Sequence, residues 1–548
     1  MALEFPANRL RQLKTSAPAS LETILVPPLQ PQRELALRPF MVRALEISTG
    51  ALALLLISSL IWGFVWFPRQ LTIAVLIFDV YWLWKSWTIG YHALKGARLL
   101  RENADRDWRG EYNAALGRGE PVVDWNSVRH VVIIPNYQES DAKLRSTLET
   151  LAAVDGARHN VIPVLAMEAA EPGSQARGRA LAREFGARFY ELLVTVHPQD
   201  LPGEIRGKSS NEDWAARRAV DELVAGRGLD IDDLTVTSCD ADTQFHRQYF
   251  EALTYHFATN PQRYRRFWQA PIFFYNNIWQ VPAPLRVPNA MSGLIHLGRL
   301  SRKRRVLLSQ STYSLSMRMA HDAGYWDTDI IPEDWHMFLK CFYKLDGQVE
   351  VEPIYLALGN DGALSATKKA TYVNHYMQVR RWGWGASDLP YAAEQALNHP
   401  EIPLNRRVLR LWYFFENHLM WSTQWFVLTL GGLIPLTYWL ITGDTLAPSW
   451  FFLETWNWAH LGSVPGFISL TSVVMTPTLV PFLILIVLDH QMRPPPPVSL
   501  STRHRLLGHL CWLAVSPITF YSSAMPALDA QVRLMLGKRM EYRVTEKV

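Results

Sequence analysis

The chain has 548 residues, of which 49% are hydrophobic and only 19% charged, with a formal net charge of +5. That length exceeds one ordinary domain, and so apolar a composition excludes a disordered or collagen-like chain. Three cysteines, Cys239, Cys341 and Cys511, lie far apart without metal-ligand spacing, which excludes a disulfide scaffold. A charge this small for the length gives no reason to expect nucleic acid as a partner. The 22 tryptophans suit membrane interfaces or sugar-binding platforms.

Residues 1–43 read as a cytoplasmic arm carrying Arg33, Arg38 and Arg43. Residues 44–90 read as a transmembrane hairpin, Ala44–Phe67 and Leu71–Trp87, joined by Pro68-Arg69-Gln70. Each run is close to the roughly 20 apolar residues a bilayer requires. The long basic stretch before the hairpin argues against a cleaved signal peptide. In the second run Asp79 is expected to face a partner helix, and Lys85 to snorkel from the helix end. Lys95, Arg98 and Arg101 place the exit in the cytoplasm.

Residues 91–408 alternate strand and helix patterns. Val131–Pro135, Val161–Leu165 and Leu234–Cys239 read as strands, with helices over Asp141–Val154 and Gly178–Phe185. The alternation predicts an α/β domain with a mostly parallel sheet covered on both faces. Ligands of such sheets bind beyond the carboxyl ends of the strands. Residues 409–489 hold two further spans, Leu411–Ile441 and Pro465–Leu488, around a stretch from Gly443 to Gly462 without Lys or Arg, expected on the outer face. In residues 490–548, Leu507–Ala527 is apolar but broken by Pro517 and Pro526, and the tail is basic. Four crossings and an interfacial or re-entrant fifth segment follow from that charge pattern.

Five polar clusters lie after strands or before helices. Asp240 and Asp242 stand one residue apart at the end of the third strand, where two carboxylates can share a hard divalent cation with phosphate oxygens. The same spacing recurs at Asp105/Asp107, Asp230/Asp232 and Asp327/Asp329, so position is what distinguishes this pair. Pro135-Asn-Tyr-Gln-Glu139 can offer an aromatic face and a carboxylate to a nucleobase, or Glu139 can simply favour a helix start. Gly207-Lys-Ser-Ser-Asn211 is either a diphosphate cradle or a capped loop. Glu333-Asp334 precedes the helix Met337–Lys344, where an acid can be a general base or a cap. Gln378-Val-Arg-Arg-Trp382 forms a polar-aromatic platform, or an interfacial anchor.

In that order the series PNYQE, GKSSN, DAD, ED and QVRRW resembles the membrane-bound family-2 glycosyltransferases, the group of cellulose, hyaluronan and chitin synthases. The resemblance spans roughly residues 128–385 and the flanking helices. It implies a GT-A (Rossmann-like) cytoplasmic domain between transmembrane helices of a multi-pass cell-membrane protein. It implies that Tyr137 and Glu139 contact the base, and that Glu168 is the nearest acid to the uracil-reading Asp usual in the family. Lys208 would lie near the donor, and Asp240 and Asp242 would bind ribose, diphosphate and Mg²⁺ or Mn²⁺. Asp334 would be the base beside Glu333, with Gln378, Arg381 and Trp382 gripping the diphosphate and the acceptor sugar. Residues 542–547 resemble the FxVTxK gating loop of cellulose synthases, which singles out Tyr542, Val544, Thr545 and Lys547.

Two features depart from cellulose synthases. Pro332 replaces the Thr of their TED motif, and the sequence stops at the gating-like motif where they continue into further helices. The latter leaves room for a partner subunit or oligomer that completes an export path. The implied reaction is inverting transfer from a nucleotide-sugar, UDP-sugar favoured, to a growing β-linked polysaccharide. Competing readings are a single transfer to a lipid or short acceptor (a glycolipid product), and a catalytically silent nucleotide- or glycan-binding membrane partner.

Overall fold

The computed structural model describes residues 36–120, 122–302, 307–443, 471, 473–499 and 501–540. The gating-like residues Tyr542, Val544, Thr545 and Lys547 lie outside it, as do most of the expected outer loop and the start of the Pro465–Leu488 run.

Among the described residues nine strands form in chain order: β1 (Arg129–Pro135), β2 (Val161–Glu168), β3 (Leu193–His197), β4 (Leu234–Ser238), β5 (Arg266–Gln269), β6 (Ile272–Phe273), β7 (Tyr313–Ser316), β8 (Glu350–Pro353) and β9 (Leu358–Gly359). Seven build one sheet in the order β3-β2-β1-β4-β7-β5-β8, and β6 pairs with β9. β1, β2, β3 and β4 are mutually parallel, as are β5 and β8, whereas β7 runs antiparallel to both β4 and β5. The sheet is therefore mixed. β1 shows why it is a two-sided core: Val131 and Ile133 face one apolar cluster with Ala215 and Phe338, and Val132 and Ile134 face another with Leu144 and Phe250. This is the period-two alternation of a strand, with helices packed on each side. Each such fully buried side chain contributes about 1.5–3 kcal/mol.

The turn of β7 has a consequence for the site. The carboxyl ends of β1, β2 and β4 and the amino end of β7 lie at the same edge, so Asn136, Glu168, Asp240 and Ser311 converge from distant parts of the sequence.

Among the described residues three helices are long and apolar enough to cross a membrane: Pro39–Trp66, Leu404–Thr442 and Val473–Met492. The expected second span is not among them. It belongs to a 36-residue helix, Pro68–Asn103, that carries Asp79 and Lys85 and runs on against the Ala283–Leu300 helix. Asp79 is buried, as expected of a charge facing a neighbour. Lys85 is paired across helices. Its Nζ donates to Glu416 Oε1 at 2.8 Å and to the Tyr81 hydroxyl at 2.9 Å, a partner that lies 331 residues away in sequence. Residues Thr502 to Met535 are a succession of α, 3-10 and π turns rather than one long helix. Its last part, Met525–Met535, packs on Pro39–Trp66 and on the Lys368–Gly383 helix. Gly50 and Gly383 permit this: a Cβ at Gly50 would stand 2.7 Å from Gln531 O, and one at Gly383 2.9 Å from Ala527 Cα. The Arg43 guanidinium closes the end of that last helix, donating to Leu534 O at 2.8 Å and to Met535 O.

Candidate active site

A cavity of about 1120 Å³ opens at the shared strand edge and runs on between the long apolar helices. Its wall includes Tyr137, Glu139, Glu168, Lys208, Asp240, Asp242, Glu333, Asp334, Gln378, Arg381 and Trp382. Every candidate residue that is described thus lies on one cavity.

Lys208 opens the Lys208–Val220 helix and organises the acidic end. Its Nζ sits 2.9 Å from Asp240 Oδ1, 2.8 Å from Glu333 Oε1 and 3.8 Å from Glu212 Oε1. Burial opposes the charge on this ammonium, but the three carboxylates outweigh it and hold its pKa well above the ordinary lysine value. Glu212, which the sequence reading passed over, is fully buried; its Oε1 accepts from Ser238 Oγ at 2.6 Å while Oε2 meets no hydrogen-bond partner. Burial first, eased by Lys208 and reinforced by Glu333, pushes its carboxyl up to about 8.

Asp334 starts the Glu333–Lys344 helix. Its Oδ2 accepts from the Ser311 backbone N–H at 2.9 Å, and its Oδ1 from its own neighbour's N–H, Trp335, at 2.8 Å. Burial and the adjacent Glu333 charge raise its pKa to about 7, against the pull of those two amides and Lys208. A carboxylate poised near neutrality is what a general base requires. The helix it starts is pinned from behind by His336, whose ring bonds Asp327 at 2.8 Å and Asp388 at 3.2 Å and stacks on Tyr391. Burial disfavours the imidazolium, but the two carboxylates raise it to about 9.

Ser311 is the second residue that the sequence reading missed. Its N–H holds Asp334, its hydroxyl donates to Asp240 Oδ2 at 2.6 Å, and its carbonyl accepts from Lys208 Nζ at 3.1 Å. Its φ of 52° is in the left-handed region that L-residues seldom adopt. One strained backbone position therefore joins the DAD motif, the ED motif and the lysine. Asn360 Nδ2 adds 3.3 Å contact to Asp240 Oδ2, and the Asp361 N–H reaches Asp242 Oδ2 at 2.6 Å while its carboxylate pairs with Lys143.

Tyr137, Glu139 and Glu168 are held by their own chain. Glu139 accepts the Tyr137 N–H. Glu168 Oε2 lies 3.2 Å from His197 Nδ1, and His197 Nε2 lies 2.9 Å from Glu204 Oε2. Burial opposes charge on this imidazole too, but the two acids raise its pKa. On the far wall Gln378 is buried and the Trp382 ring packs 5.9 Å from that of Phe274.

Among the described residues no group of three or more His, Cys, Asp or Glu gathers into a cage for a metal. Asp240 and Asp242 nonetheless make a hard-oxygen pair of the kind that holds Mg²⁺ or Mn²⁺ when phosphate oxygens and water fill the remaining positions, so the donor set fits such an ion.

A mixed α/β sheet whose carboxyl edge gathers a DxD pair, a buried lysine and a near-neutral carboxylate defines a GT-A-like domain, here flanked by long apolar helices. The family described as glycosyl transferase family group 2 matches residues 235–488, from β4 onward. That stretch, a little under half of the chain, resembles this family. No curated protein matches the chain. Among solved structures, the mannosyltransferase PcManGT from Pyrobaculum calidifontis, in complex with GDP-Man and Mn²⁺, is 15% identical with a TM-score of 0.37, covering 72% of this chain and 98% of that one. GalNAc-T7 with UDP, GalNAc and Mn²⁺ is 14% identical with a TM-score of 0.29, covering 57% and 59%. Residues 1–349 of S. aureus TarS are 10% identical with a TM-score of 0.29, covering 64% and 90%.

Proposed function

We propose that the chain is an inverting, metal-dependent membrane glycosyltransferase that extends a β-linked saccharide from a nucleotide-sugar, UDP-sugar favoured. Residues 91–408 are its cytoplasmic catalytic domain. The flanking segments, 44–90 and 409–489, hold it in the cell membrane, and residues 490–548 contribute an interfacial stretch and a gating-like tail. The observation that carries the reading is the meeting of Asp334, with its pKa near 7, and the Asp240–Lys208–Asp242 group on one cavity wall.

In the proposed reaction the acceptor hydroxyl gives its proton to an Asp334 oxygen as its own oxygen attacks the anomeric carbon. The bond from that carbon to the donor phosphate breaks, and the nucleoside diphosphate leaves with the electron pair. Asp240 and Asp242 would hold a divalent ion, which would supply charge neutralisation for the leaving diphosphate. Lys208 and Arg381 add positive charge on the same wall. Tyr137, Glu139 and Glu168 line the side suited to the base. Trp382 and Gln378, with Trp421 and Gln424 further along the cavity, offer stacking faces and amides to a hydroxyl-rich acceptor.

The deciding experiment is a screen of UDP- and GDP-sugars with Mg²⁺ or Mn²⁺ for nucleoside diphosphate release by the purified chain, followed by sizing and linkage analysis of the product. A β-linked ladder supports extension, and one defined glycolipid would reduce the activity to single transfer. No release from any donor would leave a catalytically silent nucleotide-binding protein.

A further inference from the structure

The cavity has two ends of opposite character. All the acids on its wall, Glu139, Glu168, Asp240, Asp242, Glu333 and Asp334, belong to the α/β domain. Where the helices Pro68–Asn103, Ala283–Leu300 and Leu404–Leu430 meet, the same wall carries Lys85, His296, Arg299 and Asn417, bounded by Trp82 and Trp425, and among the described residues no acid. Glu416, behind that wall, takes one hydrogen bond from Lys85, and the Tyr81 hydroxyl takes another, so two of the three ammonium donors are used. Arg299 Nη2 donates to the neutral Asn417 Oδ1 at 2.9 Å, and its guanidinium shares Glu416 with Lys85 as counter-charge. Two cations against one carboxylate leave a net positive charge facing the cavity.

Its level in the molecule narrows the anion. Lys85 lies 17 residues beyond Pro68, about 26 Å along the helix at a rise of about 1.5 Å per residue, close to the roughly 30 Å of a hydrocarbon core. The neighbouring Trp84, Trp87, Tyr91 and Trp412 are exposed outward, as in the aromatic belts that mark the headgroup layer. A guanidinium fork beside an ammonium at that depth matches phosphate rather than a neutral sugar.

We infer that this end of the cavity binds the phosphate of a lipid-anchored acceptor. The phosphate lies between Arg299 and Lys85, and the saccharide it carries extends toward Asp334. The inference rests on the proposed sugar transfer and adds the acceptor's anchor to it.

The test uses the full chain in phosphatidylcholine nanodiscs, with retention of polyprenyl phosphate and of uncharged polyprenol measured by native mass spectrometry. The phosphate lipid should be retained at least about tenfold more strongly. Arg299→Gln should remove that preference and Arg299→Lys should keep most of it, the lysine variant serving as the control for folding. Equal retention of the two lipids, or an Arg299→Gln chain that still discriminates, would overturn the assignment. Displacement by inorganic phosphate at equal concentration would make this a free-anion site and equally overturn the lipid assignment. Nucleoside diphosphate release by the unaltered chain is read separately: its absence sinks the transferase reading, whereas release without lipid discrimination sinks only this inference.

Discussion

The two ends of the cavity place charge by different means. At the sheet edge, carboxylates outnumber cations and are kept compatible by one buried lysine and a few backbone amides. Between the helices, cations prevail and a single glutamate answers them across 331 residues of sequence. The acidic end is the costlier arrangement, because burying like charges together raises their pKa values and lowers folded-state stability. Such a cost at one end of a cavity, with the carboxyls of Asp334 and Glu212 raised by burial, agrees with the proposed division into a reacting end and a holding end.

The sharpest way to break this contrast is Asp334→Asn, which should lower transfer by about 10²–10⁴ while donor binding, followed by calorimetry, is retained. Unchanged turnover would strip Asp334 of its role. Lys208→Met comes next. It leaves Asp240, Glu333 and Glu212 without their shared cation, and denaturant unfolding should show a loss of about 3 kcal/mol, together with weaker donor binding.

Acidity sharpens the same contrast in two directions. Asp334 in its proposed role as base works ionised, so transfer should fall as pH drops below about 7. For stability the sign is opposite: Asp334 and Glu212 have folded pKa values raised above those of the unfolded chain. Their contribution is fully present below the unfolded values near 4 and is lost as pH rises through about 7 and 8. Activity and thermal stability should therefore diverge across neutrality, and a parallel rise of both would contradict the burial of these acids. The smallest expected effect is that of Ser311→Ala, which keeps the backbone N–H to Asp334 but removes the hydroxyl from Asp240. A cost of about 1–2 kcal/mol should be seen in the metal dependence of donor binding rather than in the pH limb.

Much of this site could be read from the chain because its residues follow recognisable punctuation. Pro135 ends a β-branched run, Asp240 and Asp242 follow LTVTS, and Glu333-Asp334 precedes an amphipathic helix. Ser311 had no such signal. Its place depends on β7 running against its neighbours, which brings the amino end of that strand to an edge otherwise made of carboxyl ends. Glu212 was equally hidden, since a buried glutamate on a helix looks like a surface one until the sheet covers it. The partner of Lys85 stayed hidden for a related reason: nothing near it in sequence announces Glu416. Local pattern reveals strand ends and helix starts, whereas pairings set by long-range packing stay invisible until the fold is known.

The guanidinium of Arg43 at the end of the Met525–Met535 helix has a bearing on how the protein is made. The helix that carries Arg43 finds the carbonyls it closes, and the backbone that nests against Gly50, only after almost five hundred further residues have been translated. Until then the face of that helix around Gly50 is uncovered. Formation of the Pro39–Trp66 helix and completion of its packing are thus separate events, and damage to the Met525–Met535 segment should be felt first in the packing of that helix.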